Sequence, residues 1–177
     1  AINVFCKQNK IQLAIVDAGV NYDFPMNTDM ISAKIGKGTH SFLHGAAMSK
    51  TEVELCFIKG SEIVATIANT GSNCIGFGEM GIGNTATASV LMSIILELPI
   101  QDCVGKGTGV NDEQLIKKIS ILKKCIANYD GSDDLDSKLA YFGGFEIMQM
   151  VGGMLQAKQD NMLILVDGFI CSVAFLI

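Results

Sequence analysis

The chain has 177 residues, of which 49% are hydrophobic, 18% charged and 7% aromatic, so it carries apolar material for one sizeable core and is neither disordered nor collagen-like. Its formal charge is −5 with a pI near 4.9, and all 13 basic residues are lysine, which argues against a broad nucleic-acid-binding surface. The mean hydropathy of +0.38 raises the question of a membrane span, but no run approaches the ~20 apolar residues that a crossing helix needs.

Taken in chain order, Ala1 to Asn9 reads as the tail of an amphipathic helix with no initiator Met ahead of it, so the expectation is a domain incomplete at its start. Gln12 to Asp17 is the first candidate strand. Gly36-Lys37-Gly38-Thr39 then argues for an extended segment, which weakens His40 and His44 as a metal pair despite their i, i+4 spacing; no metal is expected. Ser49-Lys50-Thr51-Glu52 is a capping box ahead of Val53, Cys56, Phe57, Gly60, Ile63, Val64 and Ile67 at helical spacing. Asn73 to Phe77 is a second strand, running through glycines 76, 78, 81 and 83 into a helix from Ala86 to Leu96. A weaker strand candidate, Gln101 to Val104, leads into a second glycine loop, Gly105-Lys106-Gly107-Thr108-Gly109.

Asn111-Asp112-Glu113-Gln114 repeats the capping signal, with Leu115, Ile119, Leu122 and Ile126 as the buried stripe of the helix that follows. Asp130 to Asp136 reads as an acidic, solvated loop. Met162 to Val166 is a further strand, split from the apolar run Phe169 to Ile177 by Asp167 and Gly168. That last run stops without a polar turn or cap, so more chain is expected beyond it. Short apolar runs alternating with helical patterns give the rhythm of βαβ units: an α/β fold, three-layered, with a mainly parallel and Rossmann-like sheet, in one domain over 1–177. The six cysteines lack zinc or redox spacing, and together with the missing signal peptide they favour a reducing, cytoplasmic setting.

The glycine loop of residues 76–83 is the most informative stretch. A strand, a glycine turn and a helix start expose backbone N–H groups and the positive end of a helix dipole, which together cradle a phosphate without any side-chain charge. Asn84 and Thr85 add polar donors. Gly76, Gly78 and Gly81 spell G-x-G-x-x-G, yet the helix is expected to begin after the third glycine rather than around it, and Pro99 interrupts the path to Asp102, the acid nearest the spacing for a ribose contact. A dinucleotide-dependent oxidoreductase and a purely structural turn stay open as alternatives. The second glycine loop supplies another phosphate-competent helix start, and Lys117 or Lys118 can bend back toward it as a point charge.

G-E-M-G-I-G-N-T at Gly78 to Thr85 occurs in order with V-D-A-G-V at Val16 to Val20, G-K-G-T-G-V at Gly105 to Val110, G-G-F-E-I at Gly143 to Ile147 and D-G-F-I at Asp167 to Ile170. Together they resemble the nicotinate-nucleotide:dimethylbenzimidazole phosphoribosyltransferase family over nearly the whole chain. The resemblance implies transfer of phosphoribosyl from nicotinate mononucleotide to 5,6-dimethylbenzimidazole, giving α-ribazole 5′-phosphate and nicotinate, with no cofactor. It implies Glu79 as the catalytic carboxylate, Gly81 near the ribose and phosphate, and Lys118, chosen over Lys117, on the phosphate; the reading of the two glycine loops adds Gly83, Asn84, Thr85, Gly107, Thr108 and Gly109 as phosphate or ribose contacts. It places Met80 against the azole base. The family's proton-accepting glutamate lies in a C-terminal segment without a counterpart here, and Glu146 is no obvious substitute, so a non-catalytic mononucleotide-binding module is the alternative. Small-molecule substrates and a homodimer are the implied partners, with neither nucleic acid nor membrane.

Overall fold

The computed structural model describes residues 2–25, 28–105 and 111–177. Helix α1 spans Ile2–Asn9, followed by strands β1, Ile15–Asp17, and β2, Met30–Ser32. Next come α2 (Lys50–Ala68), β3 (Cys74–Gly76), α3 (Asn84–Ile95) and the short α4 (Ile100–Cys103). The chain continues through α5 (Asp112–Ala127), α6 (Leu135–Phe142), α7 (Phe145–Gln159), β4 (Leu163–Leu165) and α8 (Phe169–Leu176). The architecture is therefore α/β, and both strand pairs are parallel: β1 with β2, and β3 with β4. The described strands form two separate two-stranded sheets.

The centre of the molecule is the α2–α7 pair. Ser49 and Glu52 close the α2 N-terminus reciprocally: the Ser49 N–H donates to Glu52 Oε2 at 2.7 Å, and the Glu52 N–H donates to Ser49 Oγ at 3.2 Å. The two helices approach until their backbones touch, which only glycine allows. A methyl on Gly60 would sit 1.9 Å from the Gln149 carbonyl oxygen, and one on Gly152 would sit 2.1 Å from that of Phe57. Val53, Cys56, Ile147, Met148 and Val151 fill this seam and join Val90 and Leu91 of α3 in the main core. Ile75 and Ile164 turn one face of the β3–β4 pair onto Val64, Ala157 and Met162, while Leu163 and Leu165 alternate onto the exposed face.

Several elements differ from the sequence expectation. The strand candidate at Gln101 to Val104 is a helical turn instead, because Pro99 occupies its N-cap and buries Ile100 and Cys103 three residues apart. Helix α3 starts at Asn84, two residues before the expected Ala86. The acidic loop ends earlier than Asp136: the Asp134 side chain accepts the Ser137 N–H at 2.8 Å and starts α6. In line with the expectation of an extended segment, the stretch carrying His40 and His44 is not helical, so their spacing puts them on no common helix face.

Candidate functional site

Strands β3 and β4 are in register with Gly76 opposite Leu165, so the loops leaving them at Phe77 and Val166 emerge side by side at one carboxyl edge. The β3 loop curls through Gly81 and Gly83 at φ 75° and 85°, left-handed values that a side chain would strain, and turns directly into α3. Gly83 is the N-cap of α3 and no side chain caps that terminus. The first-turn N–H groups at Asn84, Thr85 and Ala86, which have no partner inside a helix, meet no side-chain cap among the described residues and so suit an anion. By contrast, α2, α5 and α6 each begin under a side-chain cap.

Lys118 comes to this open terminus from a different helix. Its Nζ donates to Thr85 Oγ1 at 3.1 Å, and it is half-buried whereas Lys117 is exposed. Partial burial pushes the Lys118 ammonium below its ordinary range. The α5 helix therefore contributes a side-chain charge to the α3 terminus. Its own N-terminus is occupied, since Asn111 Oδ1 accepts the Gln114 N–H at 2.8 Å and Gln114 Oε1 accepts the Asn111 N–H at 3.0 Å. The expectation of two successive strands each feeding a phosphate-binding helix start is corrected accordingly: α4, a helical turn, precedes the second glycine loop. Gly107, Thr108 and Gly109 lie outside the described residues.

At the other end of the β3 loop, Glu79 Oε2 accepts a hydrogen bond from Asn84 Nδ2 at 2.9 Å, so the two residues clasp the loop between them. Met80 and Ile82, inside that clasp, are each 84% exposed and project apolar surface into solvent beside the open helix end. The third glycine of G-x-G-x-x-G, Gly81, lies three residues ahead of α3 and packs into no helix, which removes the geometric basis of the dinucleotide fingerprint.

Sequence reasoning missed Asp167 as a neighbour of this site. It lies two residues past the end of β4, as Glu79 lies three past the end of β3, and its side chain is exposed. Both carboxylates act on the Cys171 thiol, which burial first and then Glu79 and Asp167 push upward, and Cys171 Sγ in turn donates to the Phe77 carbonyl at 3.3 Å. The signal was present in the quoted D-G-F-I stretch as an acid ending an apolar run. Glu146 sits in the first turn of α7, where a methyl on Gly144 would lie 3.2 Å from its Oε1. Among the described residues no group of three or more metal-ligating side chains occurs, and no helix is long and apolar enough to cross a membrane.

A family model described as a phosphoribosyltransferase, DBI_PRT, matches residues 1–177. The nicotinate-nucleotide–dimethylbenzimidazole phosphoribosyltransferase of Dechloromonas aromatica (strain RCB) is 46% identical over 180 residues, covering all of this chain and 52% of its own. The protein of the same name from Phocaeicola vulgatus is 43% identical, over 96% of this chain and 49% of its own. Among solved structures, CobT of Thermus thermophilus superposes with a TM-score of 0.90 at 29% identity, over 99% of this chain and 53% of that one. This chain thus spans about half the length of the curated relatives it matches. An open, uncapped helix terminus, a lysine brought to it from a second helix and a match along the full sequence agree, and the chain belongs to the phosphoribosyltransferase family in which these nicotinate-nucleotide–dimethylbenzimidazole enzymes stand.

Proposed function

We propose that these residues hold the phosphoribosyl group of nicotinate mononucleotide while it passes to 5,6-dimethylbenzimidazole. The observation that carries the reading is Lys118 Nζ standing 3.1 Å from Thr85 Oγ1 at the uncapped start of α3. The phosphate takes the first-turn N–H groups of α3 together with the Lys118 ammonium, displacing or sharing the Thr85 hydroxyl, and Gly81 and Gly83 keep the approach free of side chains. Gly107, Thr108 and Gly109 join the phosphate side in this reading. Glu79 faces the ribose hydroxyls, and Met80 lies against the azole ring.

The chemistry asks mainly for positioning and charge complementarity. The bond from C1′ to the pyridinium nitrogen breaks, its electron pair stays with nicotinate, and positive charge develops on the ribose ring. A carboxylate at Glu79 stabilises that charge. A benzimidazole nitrogen then attacks C1′ from the opposite face, converting a β-nucleotide into an α-nucleotide, and releases a proton that this reading assigns to no residue of the chain. The proposal includes a single three-layer, Rossmann-like domain, a homodimer and a cytoplasmic setting, and it needs no cofactor.

Calorimetric titration with nicotinate mononucleotide, followed by assay of nicotinate release in the presence of dimethylbenzimidazole, tests the reading. Saturable binding that Lys118→Met weakens about 10- to 100-fold supports it, and release of nicotinate separates a catalyst from a binding module. Binding of NAD in preference to the mononucleotide would refute it.

A further inference from the structure

The sequence reading assigns Asn84 to the phosphate or ribose, and in the structure its side chain engages Glu79. Asn84 Nδ2 donates to Glu79 Oε2 at 2.9 Å, and a methyl placed on Gly81 would stand 3.6 Å from that same oxygen, so the loop folds back over the carboxylate. The opposite end of the amide, Oδ1, is buried and has no partner among the described residues. An amide has one donating and one accepting end, and only the donating end can face an ionised carboxylate; rotating it would set two acceptors against each other. The orientation of Asn84 is therefore dictated by Glu79.

The consequence runs from the rigid element to the flexible one. Asn84 is the first residue of α3, whose next turns bury Thr87, Ala88, Val90 and Leu91, whereas Glu79 stands on an exposed glycine loop with its flexible side chain otherwise unpinned among the described residues. A charge-assisted hydrogen bond from a side chain anchored on a packed helix holds the carboxylate in one place, which loop packing alone does not provide. Resting on the ribose-facing role of Glu79 given above, we propose that the Asn84 side chain is a positioning group, setting the Glu79 carboxylate toward the sugar hydroxyls of a nucleoside monophosphate, while only the Asn84 backbone N–H meets the phosphate.

The test uses the whole chain with two separate calorimetric probes, inorganic phosphate and nicotinate mononucleotide. Asn84→Ala is expected to raise the mononucleotide Kd about tenfold, the usual size of one lost charge-assisted contact, while the phosphate Kd stays within about twofold. Glu79→Gln should weaken the mononucleotide in the same sense, and the double variant should be no worse than Glu79→Gln alone. Asn84→Asp serves as the structural control. A carboxylate of the same size is favoured in a first helical turn, so the melting temperature should hold, yet mononucleotide affinity should fall at least as far as in Asn84→Ala.

Equal losses for both probes in Asn84→Ala would overturn the proposal by placing the Asn84 side chain on the phosphate. So would losses that simply add in the double variant, or an Asn84→Asp protein that keeps full mononucleotide affinity. A wild-type chain that binds neither probe would overturn the ribose and phosphate reading itself and this role with it. Failure in the variant arms alone leaves that reading standing.

Discussion

Replacing Gly152 by Ala tests the packing that fixes the site's scaffold. In an open helix the change stabilises by about 1 kcal/mol, because alanine loses less conformational freedom than glycine. Here the new methyl would lie 2.1 Å from the Phe57 carbonyl oxygen and 2.5 Å from its Cα, where separations under 3.0 Å do not occur. The obstacle is main chain rather than a side chain that can rotate, so α7 and α2 must part by roughly 1 Å. A gap of that size forfeits a quarter to a half of each dispersion contact along the seam. Overpacking of this kind costs about 1–3 kcal/mol or somewhat more, and since the strain is between backbones the expected net loss is about 3 kcal/mol. Urea unfolding followed by circular dichroism should register that loss, with a fall in melting temperature of about 6–12 °C. A Gly152→Ala chain as stable as the parent, or more so, would refute the claim that the two helices touch through their backbones.

Other predictions concern the site and its surroundings. Lys118→Met should weaken nicotinate mononucleotide binding about 10- to 100-fold, since one hydrogen bond to a charged group contributes about 1.5–3 kcal/mol, and titration calorimetry measures it directly. Because burial lowers the Lys118 pKa, the free chain loses this positive charge as pH rises through a value below that of an ordinary lysine. Mononucleotide affinity should therefore decline earlier on the alkaline side than solvent-exposed lysines would require, and Lys118→Met should lose that alkaline limb. Asp17, only 3% exposed, would be raised by burial, but hydrogen bonds from Lys34 and the Val20 N–H outweigh this and hold it below its usual value. Its ionised form stabilises the fold above the unfolded carboxylate range and stops doing so as pH falls through the depressed folded value. Asp17→Asn should thus destabilise by about 2 kcal/mol at pH 7, with the difference shrinking in acid unfolding curves below about pH 4.

Much of this arrangement is legible in the residues because it is written locally. The capping boxes at Ser49 and Asn111 stand where their spacing puts them, since each needs only four consecutive residues. The strands ending at Asp17, Gly76 and Leu165 were found for a similar reason, although each is shorter than its apolar run. Gln101 to Val104 misled because four residues hold too little periodicity to separate a strand from one helical turn, and Pro99 decided the matter. Met30–Ser32 gave no signal, being a three-residue strand whose order comes from pairing with β1. Long-range facts escaped altogether. No spacing announces that Lys118 reaches Thr85, which lies 33 residues away on another helix, and preferring it to Lys117 rested on family resemblance. Nor does any spacing announce that the Asn84 side chain meets Glu79, which lies across a loop whose curl depends on two left-handed glycines. Asp167 became visible only when β4 paired beside β3.

The central claim is that the uncapped start of α3 and the Lys118 ammonium together receive one sugar phosphate. The most direct measurement is a titration of the ¹⁵N-labelled chain with nicotinate mononucleotide, following backbone amides by NMR. The account predicts that the largest shifts fall on Gly81 to Thr85, with a second set on α5 around Lys118, and that both saturate at the same ligand concentration. Shifts confined to the 18–24 loop or the α2–α7 surface, with Gly81 to Thr85 unmoved at saturation, would contradict it.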